Sequence, residues 1–202
     1  MTFEKIIKLL QEEKVYASEN FVPIIRDKSA EYLYNFVRDN NIKTILEIGT
    51  AIGYSGSIML SAGAESLLTV DINEKSLSVA KKTFQKCGYL DSINIVCDDA
   101  KNLIENLVDK QQKFDMIFLD GAKGQYVYYL PNLIKLLNKN GVIFADNVLL
   151  QGMVESKEKI PHRKRTMVVN LRKYLEEVNS PIFETDLIRI EDGIAISRYK
   201  GE

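Results

Sequence analysis

The chain has 202 residues, 46% of them hydrophobic, which suits one domain with a full core. Twenty-seven basic residues against 28 acidic ones leave a net charge of −1, giving no support to a chain that coats polyanions over its whole surface. The two cysteines, Cys87 and Cys97, form no CxxC pair, which argues against a disulfide framework or a zinc site; both are expected to be buried small apolar residues.

Phe3, Ile6, Ile7 and Leu10 fall at i, i+3, i+4, i+7, one face of an amphipathic helix. Glu4, Lys5, Lys8, Glu12 and Glu13 are interspersed there, so the segment is no signal peptide. No apolar run approaches the roughly 18 residues that span a bilayer, and the expected location is the cytoplasm. A second helix is predicted over 29–39, with Tyr32, Leu33, Phe36 and Val37 on one side. Residues 1–40 thus read as helices packing on or capping the core. From there β-rich runs at 44–48, 67–70, 93–96, 114–119 and 142–145 alternate with helix-like stretches at 55–61, 74–86, 100–107 and 125–138. Pro131 is expected to break or restart the last of these. Such alternation predicts a parallel sheet with right-handed crossovers and helices on both faces. The strands read as continuous apolar runs, as doubly covered strands should. A helix over 166–178 then precedes Pro181, and runs at 182–190 and 193–198 flank Asp192-Gly193, a hairpin signal. The expectation is one domain over residues 1–202: α/β, a mostly parallel sheet ending in an antiparallel hairpin.

The first strand closes as Glu47-Ile48-Gly49-Thr50-Ala51-Ile52-Gly53-Tyr54-Ser55-Gly56. Glycines at a strand-to-helix turn let the backbone bend sharply and approach a ligand. Three residues separate Gly49 from Gly53, so the spacing is not G-x-G-x-x-G, and a nicotinamide-dependent oxidoreductase is disfavoured. Gly53-Tyr54-Ser55-Gly56-Ser57 is also not G-x-S-x-G, and the lone His162 sits in a charged segment, so a Ser-His-Asp hydrolase is set aside. Asp71 ends the second strand 22 residues after Gly49, where an acid accepts from ribose hydroxyls. The plainer alternative is a tight turn and a helix cap. The fourth strand runs into Asp120-Gly121-Ala122-Lys123 and the fifth into Asp146-Asn147. As neighbours about 5 Å apart, these strand ends would present three hard oxygens, Asp120, Asp146 and Asn147, a set suited to octahedral Mg²⁺ rather than Zn²⁺. Lys123 overhangs the same edge and, beside a cation, could serve as a general base. Singly, each of these residues is more often an ordinary strand-end or loop side chain. Their combination points to a site, and makes a non-catalytic binding module unnecessary.

On these residues the chain resembles the cation-dependent class I O-methyltransferases, the group that includes catechol and caffeoyl-CoA O-methyltransferases. The resemblance runs from about Val22 onward and rests on Glu47–Ser55, Asp71, Asp98-Asp99-Ala100, Leu119–Lys123 and Asp146-Asn147. It implies a Rossmann-like fold with a seven-stranded sheet. It also implies that Glu47, Gly49, Gly53 and Ser55 surround the methionine part of S-adenosylmethionine, with a backbone contact from Ile25. Asp71 would hold the ribose, and Asp99 with Ala100 the adenine. Asp120 would border the cofactor and, with Asp146 and Asn147, bind Mg²⁺; Lys123 would be the base. Two departures are visible: Asp71 stands where Glu is common, and Asp98 where glycine is usual. Longer strings resemble the bacterial tRNA 5-hydroxyuridine methyltransferases: 45–55, Ala122–Tyr126, Asp146–Leu149 leading to Gly152, the run at Arg163, and Asp192–Ser197. The acceptor implied is tRNA, through the 5-hydroxyl and neighbouring O4 of 5-hydroxyuridine; the alternative is a small catechol-like phenol. Residues 157–173 hold seven Lys/Arg against Glu158, so Arg163, Lys164 and Arg165 could grip tRNA phosphates, although a solvated face would look the same. A homodimer is implied by the same resemblance.

Overall fold

A computed structural model of the chain describes residues 1–201. The backbone divides into two compact units, Met1–Leu103 and Ile104–Glu202. The first unit opens with α1 (Phe3–Leu9), α2 (Gln11–Glu19) and α3 (Asp27–Asp39), followed by β1 (Thr44–Ile48), α4 (Tyr54–Ser61), β2 (Ser66–Asp71), α5 (Glu74–Cys87) and β3 (Ile93–Cys97). Helix α6 (Ala100–Asp109) carries the chain into the second unit, which holds β4 (Phe114–Leu119), α7 (Tyr126–Lys135), β5 (Leu137–Asp146), α8 (Arg165–Val178), β6 (Phe183–Ile188) and β7 (Ile194–Tyr199). The strand order is β3-β2-β1 within the first unit and β4-β5-β7-β6 within the second. Strand β7 runs antiparallel to both β5 and β6, the hairpin foreseen from Asp192-Gly193.

Local chemistry accounts for the element ends. Asn73 caps α5 by accepting from the Ser76 amide at 3.2 Å, and Gly88 ends it in the left-handed region. Leu77, Ala80, Phe84 and Cys87 form its buried stripe. All eight residues of α4 are buried, so this helix is held by packing on every side.

Four expectations are corrected. The helix expected from Phe3, Ile6, Ile7 and Leu10 is present as α1; a further helix, α2, follows the turn at the fully buried Leu10 and was not predicted because its sequence has no apolar stripe, burying only Glu13 and Ala17. Pro131 lies inside α7 without ending it, costing the bond its missing N–H would have made to Val127. The helix stops at Lys135, and β5 starts at Leu137 because Leu137 pairs with Phe114; residues taken as helix to 138 are therefore strand. Strand β3 is not doubly covered: it stands first in the order, none of its residues is fully buried, and Cys97 at its end is exposed, whereas Cys87 is buried as expected. Among the described residues no helix is long and apolar enough to cross a membrane.

Candidate active site

The first unit supplies a polar cradle around the β1–α4 turn. Gly49 has φ +105° and Gly53 φ +78°, and a Cβ on Gly53 would come within 2.9 Å of the Phe84 ring. Glycine there satisfies both backbone and packing. The amides of Gly49 and Thr50 donate to the Val70 carbonyl at 2.9 and 3.2 Å, tying the turn to the end of β2. Glu47 is wholly buried on β1, and its two carboxylate oxygens accept from the Ser55 and Thr69 hydroxyls. Thr69 in turn shares a 2.6 Å hydrogen bond with Thr50. A buried carboxylate is tolerable only with such donors. Asp71 accepts from the Ala51 amide at 2.9 Å and from the Asn73 amide at 2.9 Å, one on each oxygen. A carboxylate has about four acceptor sites, so capacity for hydroxyl donors is left. Next to it, the Asp98 amide donates to the Asp71 carbonyl at 3.2 Å. Asp98 accepts from the Asp99 amide and from Asn102, and Asp99 accepts from the Lys101 amide at 2.8 Å, so these acids organise the start of α6 at Ala100. Ile25 is buried in the extended stretch before α3.

The second unit brings two carboxylates together. Strands β4 and β5 pair in parallel with Leu119 opposite Ala145, so Asp120 and Asp146 leave adjacent strand ends side by side. Asp146 is fully buried; its Oδ1 accepts from the Asn147 amide at 2.9 Å, while its Oδ2 meets no hydrogen-bond donor among the described residues. Burial, reinforced by the negative charge of Asp120, pushes the Asp146 carboxyl up to about 7. Burial raises Asp120 too, opposed by the Lys123 ammonium 3.1 Å away. Burial and the mutual repulsion of the two carboxylates therefore favour a proton held within the pair when no cation is present. Asn147 follows in the left-handed region, φ +58°, which asparagine tolerates. Two adjacent carboxylates, one with an orphaned buried oxygen, plus a following amide make a donor set that fits a hard divalent cation.

The loop after Asp146 is fastened by the hairpin. Val148 and Leu149 amides donate to the Gly193 and Asp192 carbonyls at 3.0 and 2.8 Å, and the Gln151 amide to the Asp192 carboxylate at 3.2 Å. Gly193, at φ +79°, lies so close that a Cβ would sit 2.4 Å from Leu149 Cγ. Below the site, the wholly buried Tyr126 donates its hydroxyl to the Leu119 carbonyl at 3.0 Å. The basic run forms a short 3-10 turn, His162–Lys164, leading into α8; Arg163 and Arg165 are exposed and Lys164 is half-buried. Arg172 differs from the rest of that run, because its guanidinium donates to the Val154 and Ser156 carbonyls at 2.8 Å and braces the preceding loop.

Sequence reasoning missed Thr50, Thr69 and Tyr126 as parts of these two clusters, and Asn170, whose side-chain amide donates to the Gly124 carbonyl at 2.8 Å next to Lys123. For Thr69 and Asn170 the available signal was a lone polar residue inside an apolar stretch, Leu-Leu-Thr-Val and Val-Val-Asn-Leu.

With this geometry in place, comparison with known proteins is direct. The O-methyltransferase family model matches residues 3–200. Caffeoyl-CoA O-methyltransferase 1 of Eucalyptus globulus is 30% identical over 177 residues, covering 83% of this chain and 71% of that protein. The crystal structure of a candidate caffeoyl-CoA O-methyltransferase of Staphylococcus aureus superposes with a TM-score of 0.83 at 31% identity, covering 97% of this chain and 98% of the other. TomG of Streptomyces achromogenes, solved in complex with SAM, shares the fold at a TM-score of 0.84 and 22% identity, over 100% of this chain and 92% of its own. The chain belongs to the O-methyltransferase family. It is an enzyme of the class I, Rossmann-like kind, with S-adenosylmethionine as methyl donor.

Proposed function

We propose that residues 1–202 act as one catalytic domain that moves the donor methyl onto an acceptor hydroxyl with the help of a divalent cation, most simply Mg²⁺. The observation that carries this reading is the buried Asp146 carboxylate beside Asp120, with one oxygen lacking a donor. In the first unit, Glu47, Gly49, Gly53 and Ser55 frame the methionine portion of the donor, and Ile25 adds a backbone contact. Asp71 takes the ribose, and Asp99 and Ala100 the adenine. In the second unit, Asp120, Asp146 and Asn147 hold the cation. Bound there, a divalent cation would make an acceptor hydroxyl more acidic. Lys123, with its amine in the neutral form that a bound cation would favour, would take the hydroxyl proton; in the structure that amine lies 3.1 Å from Asp120. S-adenosylmethionine held by these residues would supply an electrophilic methyl carbon; attack on it by the acceptor oxygen would break the carbon–sulfur bond and give a methyl ether and S-adenosylhomocysteine. The working state is a cytoplasmic homodimer, which sedimentation of the purified protein checks.

The names of the relatives favour a small phenol with vicinal oxygens as acceptor. A second reading, 5-hydroxyuridine in tRNA, is favoured by the exposed Arg163 and Arg165 at the entry to α8. Chelation with EDTA is expected to abolish turnover and Mg²⁺ to restore it. Asp146→Asn should lower kcat by about a hundredfold, the scale for a lost charge contact at a reacting centre, while S-adenosylhomocysteine still raises its Tm. Full turnover in EDTA would remove the cation from the scheme.

A further inference from the structure

Lys123 does not stand on a strand or a helix. It opens a three-residue 3-10 turn, Lys123–Gln125, closed by the Gln125 amide donating to the Ala122 carbonyl at 2.7 Å. So short a turn has little intrinsic persistence, yet the Lys123 amine is held 3.1 Å from Asp120 with the side chain only 18% exposed. The middle of the turn is grasped from a different element. Asn170, on α8 and 7% exposed, donates its side-chain amide to the Gly124 carbonyl at 2.8 Å. The turn also lies directly against that helix: a Cβ on Gly124 would be 3.9 Å from Met167 Cα. On the other side Tyr126 fastens the strand end ahead of the turn through the Leu119 carbonyl.

An amide is a costly occupant of a buried helix stripe. Val168, Leu171, Tyr174 and Val178 fill the rest of that stripe, and leucine would bury there more cheaply. The Gly124 carbonyl that Asn170 meets belongs to a half-buried turn that water can reach, so this bond adds little to folding. We infer that Asn170 is a positioning residue for methyl transfer: by holding the Gly124 carbonyl it fixes the Lys123–Gln125 turn, and with it the place of the Lys123 amine. This rests on the assignment of Lys123 as base. It also makes α8 a mechanical link, because the helix that begins at the exposed basic residues is the one that seats the base.

The test uses Asn170→Leu and the isosteric Asn170→Asp, each in the wild-type and Lys123→Ala backgrounds, with Mg²⁺ and either 3,4-dihydroxybenzoate or a 5-hydroxyuridine oligonucleotide as acceptor. The expected result is a kcat loss of about tenfold or more, the scale set by sub-ångström to ångström misplacement of a reacting group. For Asn170→Leu, Tm and the Kd of S-adenosylhomocysteine should stay within error, and in both variants amide hydrogen exchange should quicken across 122–126 but not in β4 or β5. In the Lys123→Ala background the same substitutions should cost nothing further, since they act through a side chain no longer there. Additive losses, or unchanged exchange across 122–126, overturn the positioning role whatever the acceptor. Full turnover by Lys123→Ala overturns the base assignment itself, and the positioning role with it. A dead Lys123→Ala beside an unaffected Asn170→Leu overturns the positioning role alone.

Discussion

At Asp146 the environment works against ionisation: burial comes first, then the charge of Asp120, and together they carry the carboxyl from its ordinary 3.8 to about 7. A carboxyl raised in the folded state stabilises the fold below its unfolded value and loses that contribution as pH rises through the folded one. Metal-free protein should therefore lose on the order of 4 kcal/mol between pH 4 and pH 7 at this residue, relative to an Asp146→Asn variant that cannot titrate. Parallel Tm curves for the two proteins across that window would show that Asp146 is not strained. The neighbourhood of Asp120 and Asp146 was legible in the sequence, because strands joined by one crossover pair and their ends coincide. Which of the two acids is sealed from water was not legible, since that depends on elements far away in the chain. The same holds for Cys97, whose apolar surroundings in sequence, Ile93 to Val96, belong to an edge strand with one side open.

Elements differ in how plainly they announce themselves. Helices α5 and α8 carry apolar stripes and are found within a residue or two of their ends. Helix α2 carries none; Lys86 of α5 reaches over to its Glu12 and Glu13 at 2.9 Å, and so distant a bond leaves no local trace. The first two residues of β5 were misread as helix for a related reason: Leu137 joins the sheet through Phe114. The hairpin turn, by contrast, is written in two residues, and its consequence falls on the cation loop. Gly193→Ala would force a methyl 2.4 Å from Leu149 Cγ and hold alanine at φ +79°. The expected cost is about 2–4 kcal/mol from overpacking plus backbone strain, read as a lower urea midpoint together with weaker Mg²⁺ binding. A loss of stability with intact Mg²⁺ affinity would mean that the hairpin does not brace the loop.

Across the whole chain, the alternation of strand and helix was enough to foresee the class of fold, because parallel strands need crossovers and crossovers need helices. What alternation cannot convey is which acceptor the enzyme serves. The basic run at the head of α8 addresses this at the level of the molecule's field rather than of any single contact. Reversing Arg163, Lys164 and Arg165 to glutamate should cut methylation of a 5-hydroxyuridine-containing tRNA by about tenfold or more at physiological salt. Turnover of 3,4-dihydroxybenzoate and S-adenosylhomocysteine binding should be unchanged. If tRNA methylation survives the reversal, the small phenol is left as the acceptor.

Strand β5 is zipped along both edges, parallel to β4 and antiparallel to β7, with Asp146 opposite Ile194 at its tip. Sliding this strand by a single position would turn every side chain to the opposite face and put Ala145 or Asn147 where the carboxylate belongs. Such a slip has to unfasten two ladders at once. The chain thus guards the placement of one acidic group by double stitching, and an insertion anywhere in 142–146 should be far more damaging to the enzyme than one in the loop that follows.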